Sequence, residues 1–243
     1  MLGLFKRGGP SPSRPASNEV PRILADHFPS EVLQLLSRRG ELNSTALGIN
    51  LLAESASAEK TSVMHGISLV KRLGLVVLDD ADDSNPYCFI TGGVAAGMVV
   101  HFNHDPEPRI EFGTVLAFEN FLRQLHAQEQ SLGDVEPTSP AHPDQVALAA
   151  VLRELARATE DVDAESLICL YLPLLRGEHR PTLEALAAHP DFLVREALAD
   201  AIGNAALPDS TEVLRALSTD PHSQVRQAAL RASAVLRLAH GGA

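Results

Sequence analysis

The chain has 243 residues, 45% hydrophobic but only 4% aromatic and without Trp, so aliphatic side chains and Ala must fill its core. Its formal net charge is −11, divided as +3 over residues 1–18, −9 over 19–140 and −5 over 141–243. Acid spread over both main parts repels phosphate backbones, which disfavours nucleic acid as a partner, and attracts basic proteins.

The N-terminus, MLGLFKRGG, has an apolar stretch too short for a signal peptide, with Lys6 and Arg7 after it rather than before. No apolar run reaches the ~18 residues of a membrane span. The two cysteines, Cys88 and Cys169, have neither metal-ligand nor redox spacing, and fit reduced, buried thiols in a cytoplasmic protein. Residues 1–19, with Gly8-Gly9-Pro10, Pro12 and Pro15 among serines, read as a disordered tail.

Residues 20–130 read as an α+β domain. Val32, Leu33, Leu35 and Leu36 predict a helix over 29–40, ended by Gly40. Helical patterns follow over 44–56 and 58–73; in the second, Val63, Ile67, Val70 and Leu73 line one side and Gly74 stops the run. The texture then changes to short strands: Leu75–Leu78, Tyr87–Thr91, Gly97–Phe102 and Arg109–Phe112, the last with alternating faces. Gly and Pro between them predict an antiparallel meander. A helix over 115–128 carries Leu116, Phe118, Phe121, Leu122 and Leu125. Residues 131–145 (SLGDVEPTSPAHPDQ) read as a linker.

Residues 146–240 read as all-α. Leu183, Leu186, Pro190, Val194, Arg195 and Ala197 recur as Leu214, Leu217, Pro221, Val225, Arg226 and Ala228, one fixed offset later. Such a period predicts stacked helix pairs. Proline ends the first helix of each pair, and Val194, Ala197, Leu198 and Ala201, matched by Val225, Ala228, Ala229 and Ala232, allow close helix packing. A degenerate third unit falls at about 148–175. Asp191, Arg195, Asp220 and Arg226 are expected to be structural: Asp191 at a helix start within i,i+4 reach of Arg195, the arginines bridging turn acids and carbonyls. The Asp-Pro turn followed by Val-Arg and alanines resembles HEAT-like repeats. An array this short is expected to lean on the N-terminal part or on a partner.

Asn85-Pro86-Tyr87, Gly92-Gly93, Gly97-Met98-Val99 and the Phe118–Leu125 helix resemble the C-terminal half of SUKH-superfamily domains over residues 79–126. Bacterial members of that family include immunity proteins that neutralise secreted toxins. The resemblance implies a compact α+β binding domain without catalytic residues or cofactor.

The candidate partner-binding residues are the acidic turn Asp79, Asp80, Asp82 and Asp83, together with His104, Asp105 and Glu107. His101 and His104 invite a metal reading, but three residues apart on a strand they face opposite ways, and the acidic turn lacks the Gly and Glu of a calcium loop, so no metal is expected. No nucleophile elbow or phosphate loop is present. The sequence therefore points to a non-enzymatic protein-binding protein of the immunity kind, which blocks a basic toxin's active site. The alternative is an intracellular scaffold. HEAT-like enzymes such as DNA glycosylases and bilin lyases are a weaker one, because 9 basic against 14 acidic residues after residue 140 suit no nucleic-acid surface.

Overall fold

The computed structural model describes residues 28–81, 85–103, 107–135, 137–158, 160–208 and 210–241, with side chains to residue 238. The predicted tail at 1–19 and residues Asp82, Asp83, His104 and Asp105 lie outside the described residues.

Helix α1 (Ser30–Ser37) buries Val32, Leu35 and Leu36, and a short α2 (Arg39–Leu42) follows after a break at Arg38. The helix predicted over 44–56 starts only at Glu54. Before it, Asn43 accepts the Leu51 amide (2.7 Å) and donates to the Leu51 carbonyl (3.0 Å), and Gly48 takes φ +73°. A side chain that satisfies the backbone locally competes with helix, and here it wins.

The pattern over 58–73 is likewise split, into α3 (Glu54–Met64) and α4 (Ser68–Leu73). Val70 and Leu73 are buried as expected, but Val63 is 77% and Ile67 49% exposed. The buried face of α3 is instead Ser57, Ala58 and Thr61. Its hydroxyls serve β1 (Leu75–Val77): Ser57 Oγ donates to the Val77 carbonyl, and the Val77 amide donates to Thr61 Oγ1 at 2.9 Å. Side chains thereby cover the sheet edge at Val77, and just beyond it Leu51 forms a backbone bridge with Asp79.

β2 (Tyr87–Ile90), β3 (Val99–His101) and β4 (Arg109–Phe112) complete an antiparallel sheet of order β1-β2-β3-β4. One face (Val76, Tyr87, Phe89, Val99, Phe112) packs on α1 and on Phe118, Leu122 and Leu125 of α5 (Val115–Gln128). Leu116, grouped by sequence with the apolar side of α5, is 62% exposed. On the other face, Leu75, Val77, Cys88, Ile90, Val100 and Ile110 join one apolar cluster that continues into the helical repeats as far as Ala232. Each fully buried aliphatic side chain in it contributes about 1.5–3 kcal/mol, so the array draws much of its stability from the sheet it leans on.

β4 departs from simple alternation. Val99 pairs with Phe112 and Val100 with Ile110, so Glu111 is an extra residue opposite a register shift. This bulge sends Ile110 and Phe112 to opposite cores and re-aims Glu111 toward Tyr87.

The C-terminal part is three helix pairs: α6 (Gln145–Leu155) with α7 (Ala164–Tyr171), α8 (Arg180–Ala187) with α9 (Phe192–Ala205), and α10 (Thr211–Leu217) with α11 (Ser223–Gly241). The α+β layout is thus followed by an all-α one. Between them, residues 131–145 contain a 3-10 turn at Leu132–Asp134 and a buried His142, whose Nε2 lies 2.8 Å from the Val94 carbonyl. Further ties cross from α4 to the turn after α6: Arg72 Nη1 contacts both Asp161 oxygens at 2.6 Å, and Ser68 Oγ donates to Asp163 at 2.7 Å. No helix among the described residues is long and apolar enough to cross a membrane.

Candidate functional site

Two cavities of about 580 Å³ each flank the start of β4, with Arg109 and Pro137 lining both. The first is polar and lies at the sheet margin, where β2, β3 and β4 bring Tyr87, His101, Arg109 and Glu111 together. The Tyr87 and His101 rings stack with centroids 4.4 Å apart. Tyr87 Oη donates to Glu111 at 3.0 Å and Arg109 Nη2 donates to its other oxygen at 3.1 Å. His101 Nδ1 stands 3.6 Å from Glu111, while Nε2 faces the Asn85 carbonyl at 3.0 Å.

Burial pushes the Glu111 carboxyl up, but hydrogen bonds and charge from His101, Tyr87 and Arg109 outweigh it and hold it below its ordinary range. Burial and the Glu111 charge push the Tyr87 phenol well up. Asp79 also lines this cavity and is 2% exposed, accepting the amides of Tyr87 (2.7 Å) and Ala81 (3.3 Å). Burial lifts its carboxyl from 3.8 to about 6, against the pull of those two amides. The cluster's polar atoms bond one another and the Asn85 and Pro137 carbonyls. It fixes the turn and the bulge.

The second cavity is a groove. One wall is Glu107–Arg109 with residues 137–139; the other is the end of α7 (Cys169), the turn after it (Leu172, Pro173) and one side of α9 (Ala197, Asp200, Ala201, Asn204). Small alanines, spaced one turn apart on α9, leave the room. Burial, then Glu107 and Asp191, push the Cys169 thiol up to about 12, so it stays a neutral thiol near pH 7. Arg176 also lines the groove, and its guanidinium donates to the carbonyls of Pro173 (2.7 Å), Leu175 (2.7 Å) and Ser139 (3.0 Å).

The matched residues of the repeats take related positions. Arg195 Nη1 donates to the carbonyls of His189 (2.7 Å) and Pro190 (2.9 Å), and Arg226 Nη1 does the same at Asp220 (2.6 Å) and Pro221 (2.9 Å). Each ties down the turn that follows its first helix. Asp191 caps α9 through the Leu193 amide at 2.6 Å. Its expected i,i+4 pairing is not the one made, since Arg195 reaches forward to Asp220 of the next unit.

Of the candidate partner-binding residues, Asp79 was expected at the surface, but burial and two accepted amides turn it inward. Asp80 meets Lys60 at 3.4 Å and the Asn50 side chain. Glu107 is exposed at the groove. Cys169 and Asp200 carry no local sequence signal that groups them at the groove, and the Tyr87–Arg109–Glu111 cluster depends on strand register. Among the described residues no group of three or more His, Cys, Asp and Glu side chains is placed to hold a metal.

Residues 141–234 match the family of HEAT repeats. No curated protein and no solved structure matches the chain.

Proposed function

We propose that this is a non-enzymatic, cytoplasmic protein-binding protein of the immunity kind, which neutralises a secreted bacterial toxin by occluding its active site. The observation that carries this reading is the groove. HEAT-type helices and a second, unrelated sheet wall share one cavity, backed by one apolar core, with Glu107, Asp200, Arg109 and Arg176 along it. A rigid concave surface loses little entropy on binding, and net charge −11 speeds encounter with a basic partner. The meander and final helix over 75–128 also follow the strand and helix order of the SUKH-like pattern, which supports the immunity reading.

The test is co-expression of a toxin-like product from the flanking gene with and without this protein. Restored growth and co-purification are expected. Unchanged toxicity with no co-purification would sink the proposal.

A further inference from the structure

α11, the outermost helix of the described stack, turns an apolar face to water. Leu230 is 58% and Leu238 80% exposed, Ala234 between them is exposed, and Val235 beside them is 48% exposed. Leu230, Ala234 and Leu238 follow at i, i+4 and i+8, so they form one stripe along the helix. One repeat earlier the same positions hold Ala199, Gly203 and Leu207, and all three are buried. Gly203 is where Ala232 of α11 comes closest to α9. The stripe is therefore the kind of face that a helix of this repeat covers on the preceding unit, and on α11 it is exposed. A stack that meets water needs a polar outer face, so an apolar one calls for a cover.

We infer that a second copy of the chain covers this face, with α11 packed on α11 in antiparallel order. The stripe is symmetric about Ala234, with one Leu four residues before it and one four residues after. A two-fold axis at Ala234 thus seats Leu230 of each copy beside Leu238 of the other and puts the small side chains at the closest approach. Two copies of net charge −11 repel, but no Asp or Glu follows Asp220, so this seam brings no carboxylates of α11 together. Arg231 is held by Asp200 of its own α9 at 3.1 Å, and Arg237 meets a copy of negative net charge. None of the stripe residues lines the groove, so the pairing does not depend on what the groove binds.

A helix of 19 residues is about 28 Å long and about 10 Å wide, well short of the ~800 Å² per partner of a standard interface. The dimer is therefore expected to be weak, with a Kd of about 10–100 μM. Sedimentation velocity on the full chain at concentrations spanning that range tests it. The expected result is a concentration-dependent shift from monomer to dimer, weakened about tenfold or more in the double variant Leu230→Gln with Leu238→Gln. Both side chains are more than half exposed, so the thermal melting of the monomer should stay unchanged. Ala234→Cys gives a second readout. At the two-fold axis its thiol comes within disulfide reach of its counterpart, so oxidation should link two copies through residue 234. Gln224→Cys, ten residues away and so about 30 Å from its counterpart, should not link. A monomer at every concentration overturns the pairing and leaves the face to a helix of another protein. A dimer that survives the double variant, or that links through residue 224 as readily as through 234, places the contact elsewhere and overturns it too.

Discussion

Arg195 of α9 grips Asp220 in the turn before α11, donating from Nε at 2.7 Å and from Nη2 at 3.1 Å. The side chains are 11% and 7% exposed, and Nη1 of the same guanidinium closes the turn after α8. One side chain therefore ties the second helix pair to the third.

Arg195→Ala should destabilise the protein by about 3 kcal/mol, because Asp220 is left nearly buried without its cation. Arg195→Lys should recover little, since a point charge cannot replace the two-pronged contact. Urea denaturation of the variants checks both. The Arg195 hydrogen bonds hold the Asp220 carboxyl below its usual 3.8. A depressed carboxyl stabilises above the unfolded value, so this contribution should be intact at neutral pH and fade as pH falls below about 3.8.

Asp79 should act in the opposite sense. Its carboxyl is lifted from 3.8 to about 6 in the folded state, so the folded chain holds the proton more tightly. Its contribution is most favourable below pH 3.8 and is lost as pH rises through about 6, for a total of roughly 3 kcal/mol. Unfolding free energies from pH 4 to 7 should show this decline, and Asp79→Asn should flatten it.

Gly203 sets the spacing of α9 and α11. A Cβ there would lie 3.0 Å from both Cα and Cβ of Ala232. Gly203→Ala should cost about 1–3 kcal/mol by overpacking. Ala232→Gly in the same chain should recover part of that loss, a coupling that a double-mutant cycle measures.

Thr61→Val keeps the shape of the α3 face but removes the acceptor for the buried Val77 amide. The expected cost is about 1–3 kcal/mol. Hydrogen exchange at Val77 should accelerate more than at Val76.

The meander was legible because Gly and Pro bound every strand, and the repeat because its Pro, Val and Arg recur. HEAT-type helices over 141–234 follow from that recurrence. What escaped depended on pairings that local pattern does not contain. Val63 and Ile67 looked buried because an α-helical period was carried across His65–Ile67, where the chain breaks. Ser57 and Thr61 carry no apolar signal, yet they are buried and their hydroxyls bond the Val77 backbone. Glu111 was read as one position of an alternating strand, but an extra residue in register turned it toward Tyr87. Asp79 was grouped with its acidic neighbours, although its own place is fixed by amides of the strand that follows. The groove arises only when the sheet and the repeats pack on each other, so no single segment announces it.

The most direct measurement mixes the purified protein with the purified toxin-like product of the flanking gene and follows elution by size-exclusion chromatography alongside the toxin's activity. A single stoichiometric complex, with toxin activity abolished at equimolar protein, is the expected result. Separate elution with full toxin activity in the presence of excess protein would contradict the proposed function.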